Sequence, residues 1–152
     1  MPEPRRAKRL LVALAAVAAL CTVVLTLRYT QRLPSGPVAI VWDREACAEC
    51  RMHIGEPRFA AQLHISDGRV LNFDDPGCLL RYEAEQRPAR RASYFHALGE
   101  DRWLGAEEVA FVPAEGSPMG YDLGAVPRGT RGALDYAAAQ ERVLARSQGD
   151  AP

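Results

Sequence analysis

The sequence has few arrangements of side chains that indicate catalysis. It contains no Ser/His/Asp combination, no glycine-rich phosphate loop and no pair of carboxylates spaced for acid–base work. Asp74 and Asp75 adjoin Pro76, which is typical of a helix N-cap rather than of an acid–base pair. These absences argue against the common hydrolase and nucleotide-dependent classes, and we expect a protein that is not an enzyme.

A clustered basic patch is also missing from most of the chain. The 152 residues have a net charge of zero, with six basic side chains and one acidic side chain among residues 1–35. The remaining residues carry 13 basic and 18 acidic side chains, so their net charge is −5. Because nucleic-acid-binding domains concentrate positive charge, we expect no nucleic-acid partner.

One long apolar run lies near the N-terminus. Residues 10–27 contain no charged side chain and follow a basic flank, residues 1–9. As a helix, this run would be roughly 27 Å long, which is close to the thickness of the hydrocarbon core. The basic flank predicts a cytoplasmic N-terminus. We therefore expect a single-pass signal anchor in the inner (cytoplasmic) membrane, with the rest of the chain in the periplasm.

The N-terminal segment has two other interpretations besides an uncleaved anchor, namely a cleaved signal peptide and a lipoprotein signal. A cleaved signal peptide usually has a site of small residues after its apolar core, but polar and bulky residues follow here, at 28–32. A lipoprotein would use Cys21, yet Leu20 precedes it and six uncharged residues follow it. We favour the anchor, with cleavage as the alternative.

The pattern of apolar runs and turns in the rest of the chain predicts the α+β class. Residues 28–44 form a breaker-rich linker with a short lead-in strand (Val38–Trp42), and residues 45–148 form the domain. A hairpin around Asp67-Gly68 leads into a helix capped at residues 74–76, and a further strand follows. A second strand–strand–helix pass ends in a helix over residues 130–146. We predict two small tandem ββα(β) units, about residues 45–99 and 100–148, after the N-terminal transmembrane helix.

Soft donor side chains are scarce and are concentrated in one stretch. The chain has four cysteines, three histidines and three methionines, and Cys47, Cys50, Met52 and His53 fall within seven residues. Thiols and thioethers select Cu(I), zinc or iron–sulfur centres over magnesium and calcium. We expect this stretch in a loop or tight turn, with Met119 brought to it by the fold.

The residues alone leave several interpretations of Cys47 and Cys50 open. Outside the cytoplasm the pair fits a structural disulfide, and it also fits a thioredoxin-type redox pair, although a hairpin rather than a helix follows it. Structural zinc would need further ligands, and no second Cys-x-x-Cys pair occurs. We interpret Cys78, on the first turn of the predicted helix, as a small buried residue, although a thiol there could reach a metal.

Five pieces of the sequence, in order, resemble the NosL family of copper-binding accessory proteins of nitrous oxide reductase. The pieces are Cys47-x-x-Cys50-x-Met52, Phe59-Ala60-Ala61-Gln62, Asp67-Gly68, Phe73-Asp74-Asp75-x-Gly77-Cys78-Leu79-Leu80 and Pro118-Met119-Gly120-Tyr121. The resemblance covers roughly residues 45–145.

This resemblance implies a function and a set of ligands. The implied function is that of a metallochaperone in denitrification, which binds Cu(I) in the periplasm for the multicopper centre of nitrous oxide reductase or another copper acceptor. Delivery would be direct or through a membrane accessory complex. Cys50 and Met119 match the family's ligand positions, and Cys47 and Met52 also match its motif.

The chain departs from the family pattern in two ways. Arg51 stands where many members have glycine, so the backbone turn or the docking of partners is expected to differ. Many members are lipoproteins, whereas this chain has the apolar run at residues 10–27. Either device would keep the domain at the membrane surface.

Overall fold

The computed structural model describes residues 4–30 and 33–149 and confirms the α+β class. Its helices and strands are α1 (Pro4–Thr30), β1 (Ala61–Ile65), β2 (Val70–Phe73), α2 (Pro76–Gln86), β3 (Arg90–His96), β4 (Trp103–Gly105), β5 (Val109–Pro113), β6 (Leu123–Pro127) and α3 (Tyr136–Gly149). The start of the predicted basic flank and two residues of the predicted linker lie outside the described residues.

Helix α1 contains the apolar run. Its segment Lys8–Leu27 has a mean hydropathy of 2.8, and none of this segment is buried inside the protein. At about 1.5 Å per residue the segment is roughly 30 Å long. It is therefore long and apolar enough to cross a bilayer.

The remainder of the chain, residues 36–149, is called the body below. Its first sheet is antiparallel with the strand order β2-β1-β3-β4, and its second is the antiparallel pair β5-β6. The predicted hairpin is present as β1 and β2, with Gly68 in a left-handed conformation at the turn (φ 96°). Strand β4, which we expected in the second unit, instead pairs with β3, where Phe95 lies opposite Leu104.

The core of the body joins both sheets. Four phenylalanines are fully buried, namely Phe59, Phe73, Phe95 and Phe111. Phe95 of β3 and Phe111 of β5 meet edge to face, with 5.1 Å between ring centroids. Every buried apolar residue in the described chain lies between Ile40 and Val143, so the body forms its core without α1.

Two predicted elements differ from the structure. Val38–Trp42 is not a strand, because the buried side-chain amide of Gln62 takes the place of a backbone partner. Val38 N donates to Gln62 Oε1 (2.8 Å), and Gln62 Nε2 donates to Val38 O (2.6 Å). The last helix begins at Tyr136 rather than near residue 130. Leu134 exchanges two backbone hydrogen bonds with Phe111, and this pairing holds the preceding residues out of the helix.

Candidate metal centre

The segment that holds Cys47 and Cys50 forms a tight turn, as predicted. Arg51 N donates to Cys47 O (3.1 Å), and Cys47 N donates to Met52 O (2.8 Å). The turn closes because Arg51 adopts a left-handed backbone conformation (φ 67°), which glycine adopts without strain and other residues rarely do. This is the position at which the family resemblance expects glycine.

Two contacts fix this turn to the body. Ala48 N donates to Asn72 O on β2 (2.9 Å), and Glu49 forms an ion pair with Arg81 on α2 (3.3 Å). The turn is therefore held between the edge of the first sheet and the first half of α2.

The N-terminus of α2 supplies a third thiol. Asp75 caps the helix, with its Oδ1 accepting from Gly77 N (2.8 Å), and Pro76 occupies the first helical position. Cys78 follows on this first turn and is 1% exposed. The helix start packs closely against the rest of the body, because a Cβ at Gly77 would lie 2.2 Å from the ring of Tyr121.

The turn and the helix together bring three cysteines into one cluster. The Sγ atoms of Cys47, Cys50 and Cys78 all lie within 4.8 Å of one another. Cys47 and Cys78 are buried and Cys50 is half-buried, and all three are free thiols. Cys78 is buried as we expected, but we did not include it among the predicted ligands. The clue in the sequence was its place on the helix's first turn, directly after the capping residues.

The three thiols differ in pKa. The hydrogen bond with the Cys78 thiol lowers the pKa of Cys47 to about 5, despite the opposing effect of burial. The same hydrogen bond, together with burial, raises the pKa of Cys78, and burial raises the pKa of Cys50. The lowered pKa favours the thiolate form of Cys47, which the neighbouring Cys78 thiol stabilises.

The methionines predicted as ligands are on the exposed side of this region. Met52 is 50% exposed and directly follows the thiol turn, and Met119 is 37% exposed. Met119 N donates to Asp75 Oδ2 (3.1 Å), which attaches the Pro-Met-Gly turn to the helix start that carries Cys78. His53 is exposed. The roles of both thioethers as ligands remain predictions.

Comparison with known proteins identifies the fold. No protein-family model matches the sequence, and no curated protein matches it. Among solved structures, the crystal structure of the copper chaperone NosL from Shewanella denitrificans is similar, with a TM-score of 0.54 and 17% sequence identity. The match covers 74% of this chain and 89% of that one. The chain shares the NosL fold.

The fold comparison and the thiol cluster support separate conclusions. The expected resemblance to NosL is confirmed for the fold. At this identity the comparison says nothing of individual side chains, so the chemistry depends on the cluster itself. Three sulfur donors suit a soft metal ion and offer little to a hard one.

Proposed function

We propose that this protein is a membrane-anchored metallochaperone that binds Cu(I) in the periplasm and delivers it for the maturation of nitrous oxide reductase. The single observation that carries the proposal is the cluster of three thiols within 4.8 Å. Its similarity in fold to a copper chaperone agrees with this role. The apolar segment Lys8–Leu27 would anchor the body to the inner membrane.

The donor set favours Cu(I) as cargo over zinc. A structural zinc site usually has four tetrahedral ligands of cysteine and histidine. No fourth cysteine, histidine or acidic group joins the three thiols among the described residues. Thiolates and thioethers suit both Cu(I) and zinc, so the small number of ligands is what favours Cu(I) here. The cluster therefore fits a monovalent soft ion with few ligands.

Differences in exposure suggest how the cargo would leave. Cys47 and Cys78 are buried, Cys50 is half-buried, and the two methionines are more exposed. An acceptor with additional sulfur or nitrogen donors could reach Cu(I) from the side of Cys50 and replace the ligands one by one. No change in oxidation state is required, and Cys50 and Cys78 would take up a proton again when released, because their pKa values are raised.

The test is an anaerobic Cu(I) titration of the reduced full chain in detergent against a chromophoric competitor. We expect one tightly bound ion, and we expect Cys50→Ser and Cys78→Ser to lose tight binding. Cys21→Ser is the matched control, because Cys21 lies in the apolar segment of α1. Unchanged affinity in the Cys50 variant would refute the assignment of the site.

A further variant, Met119→Ala, separates copper binding from the thiol–disulfide alternative. A redox pair made of Cys47 and Cys50 would depend on both of these thiols but not on Met119. Met119→Ala should weaken Cu(I) binding if the thioether is a ligand, and the redox alternative predicts no effect. In the structure the thiol at a helix start is Cys78 rather than a member of the Cys-x-x-Cys pair, unlike the thioredoxin arrangement.

A further inference from the structure

The large apolar side chains that the body exposes are confined to two places. Among its described residues they are Val38, Val41, Trp42, Met52 and Met119. Met52 directly follows the thiol turn, and Met119 lies on the turn that is bonded to Asp75. The other three form one short stretch, Val38–Trp42, which we call the lead-in segment. Exposed apolar residues that cluster in this way commonly mark a surface for a protein or a membrane.

The lead-in segment is fixed to the body rather than being a loose linker. Both hydrogen-bonding groups of the Gln62 amide are used on Val38, and Ile40 is buried. Val41 N donates to Glu45 Oε1 (2.8 Å), and Val41 O accepts from Glu45 N (3.0 Å). The segment thus presents its apolar side chains, including Val41 (52% exposed) and Trp42 (38% exposed), from a well-defined backbone.

We propose that the lead-in segment docks on the lipid interface of the membrane in which α1 is anchored. This inference rests on the proposed membrane anchor. Seven residues lie between Val38 and Thr30, the last residue of α1, so an extended connection of eight Cα–Cα steps spans at most about 28 Å. A chain that leaves the membrane at α1 therefore delivers this segment close to the headgroup region.

The chemistry of the segment suits this position. Tryptophan is enriched at membrane–water interfaces because its ring is apolar while its N–H remains hydrated, and valines add apolar area to bury in the acyl boundary. Electrostatic attraction does not explain docking, because residues 36–152 carry a net charge of −5. Docking on a zwitterionic bilayer should therefore be insensitive to salt.

Docking would also set the orientation of the metal centre. The chain that follows Trp42 pairs directly with the chain after the thiol turn, through Asp43 N to Ile54 O (2.9 Å) and Cys47 N to Met52 O (2.8 Å). Contact between the lead-in segment and lipid would hold the Cys47–Met52 turn near the membrane surface. Partners embedded in that membrane would be the natural donors or acceptors of the cargo.

Fluorescence quenching by brominated lipid tests this contact in the full chain. The chain has two tryptophans, so Trp103→Phe leaves Trp42 as the sole tryptophan, and Trp42→Phe leaves Trp103 on strand β4 as the matched control. Both variants are inserted in zwitterionic vesicles with and without brominated acyl chains. We expect brominated lipid to quench Trp42 and to leave Trp103 unchanged.

A second variant keeps the test independent of the tryptophan substitutions. Val41→Asp, in the chain that has only Trp42, should reduce quenching, because Val41 is exposed and the change leaves the core intact. Equal emission of Trp42 in both kinds of vesicle would overturn the proposal and leave the segment as a surface for a protein partner. Vesicle flotation after alkaline washing tests the membrane anchor, and the Cu(I) titration tests copper binding. Failure of the proposed function can therefore be distinguished from failure of the docking proposal.

Discussion

Substitution of Asp75 would test the architecture of the metal centre most directly. Its carboxylate is fully buried and serves two segments at once. Oδ1 caps α2 through Gly77 N (2.8 Å), and Oδ2 accepts from Met119 N (3.1 Å). The Ser117 side chain also hydrogen-bonds this carboxylate. The same group therefore holds the helix start that carries Cys78 and the turn that carries Met119.

Asparagine separates these two tasks. In Asp75→Asn the remaining carbonyl oxygen can still cap the helix, but an N–H₂ group replaces the acceptor that faces Met119 N. A buried donor that loses its acceptor costs about 1–3 kcal/mol, so we expect the free energy of unfolding to fall by about 2 kcal/mol. Asp75→Ala also removes the cap and should cost about 1 kcal/mol more.

Urea unfolding of the variants measures these values, and Asp135→Asn is the matched control. Asp135 is exposed and caps α3 through Ala138 N (2.8 Å), where asparagine caps about as well as aspartate and the change should stay below about 0.5 kcal/mol. If Met119 is a ligand, Asp75→Asn should also weaken Cu(I) binding while Asp135→Asn does not. Native stability in Asp75→Asn would refute the structural role assigned to the carboxylate.

Three further results are expected. Cu(I) affinity, measured by competition at several pH values, should rise with pH by about one log unit per pH unit for each protonated thiol that binds as thiolate. Cys50 and Cys78 would give this slope because their pKa values are raised, and a pH-independent affinity would contradict it. Arg51→Gly should stabilise the protein by about 1 kcal/mol in urea unfolding, because the left-handed backbone suits glycine, and a loss of stability would argue against strain there. Gly77→Ala should lower the midpoint of thermal unfolding more than Gly36→Ala does, because a Cβ at residue 77 would meet the Tyr121 ring whereas a Cβ at residue 36 would have open space. Equal midpoints in the two variants would show that the ring moves aside at little cost.

Elements defined by local residues were predictable from the sequence. The β1–β2 hairpin follows from Asp67-Gly68, and the start of α2 follows from an aspartate cap before Pro76. In both cases the residues that decide the structure are neighbours in the chain. The turn at Cys47–Cys50 was also expected, although the left-handed conformation of Arg51 was not.

Features that depend on distant partners were not predictable in the same way. Strand β4 has three residues, and nothing in them indicates that it pairs with β3 rather than with a strand of the second sheet. The prediction of a strand at Val38–Trp42 was wrong, because the side-chain amide of Gln62 replaces a backbone partner there. Cys78 joins the thiol cluster only because the turn is attached to β2 and α2, through Ala48 and Glu49.

The arrangement of burial agrees with the delivery role that we propose. A site built for retention would surround all its donors with protein, since exclusion of water and of competing ligands slows release. Here the two deepest thiols, Cys47 and Cys78, form a hydrogen-bonded pair, and Cys50 lies at the border with solvent. The left-handed residue Arg51 then turns the chain so that Met52 emerges on the surface. If the proposed function is correct, a competing ligand would reach Cys50 before the two buried thiols, and Cys50 would be the first thiolate to be replaced.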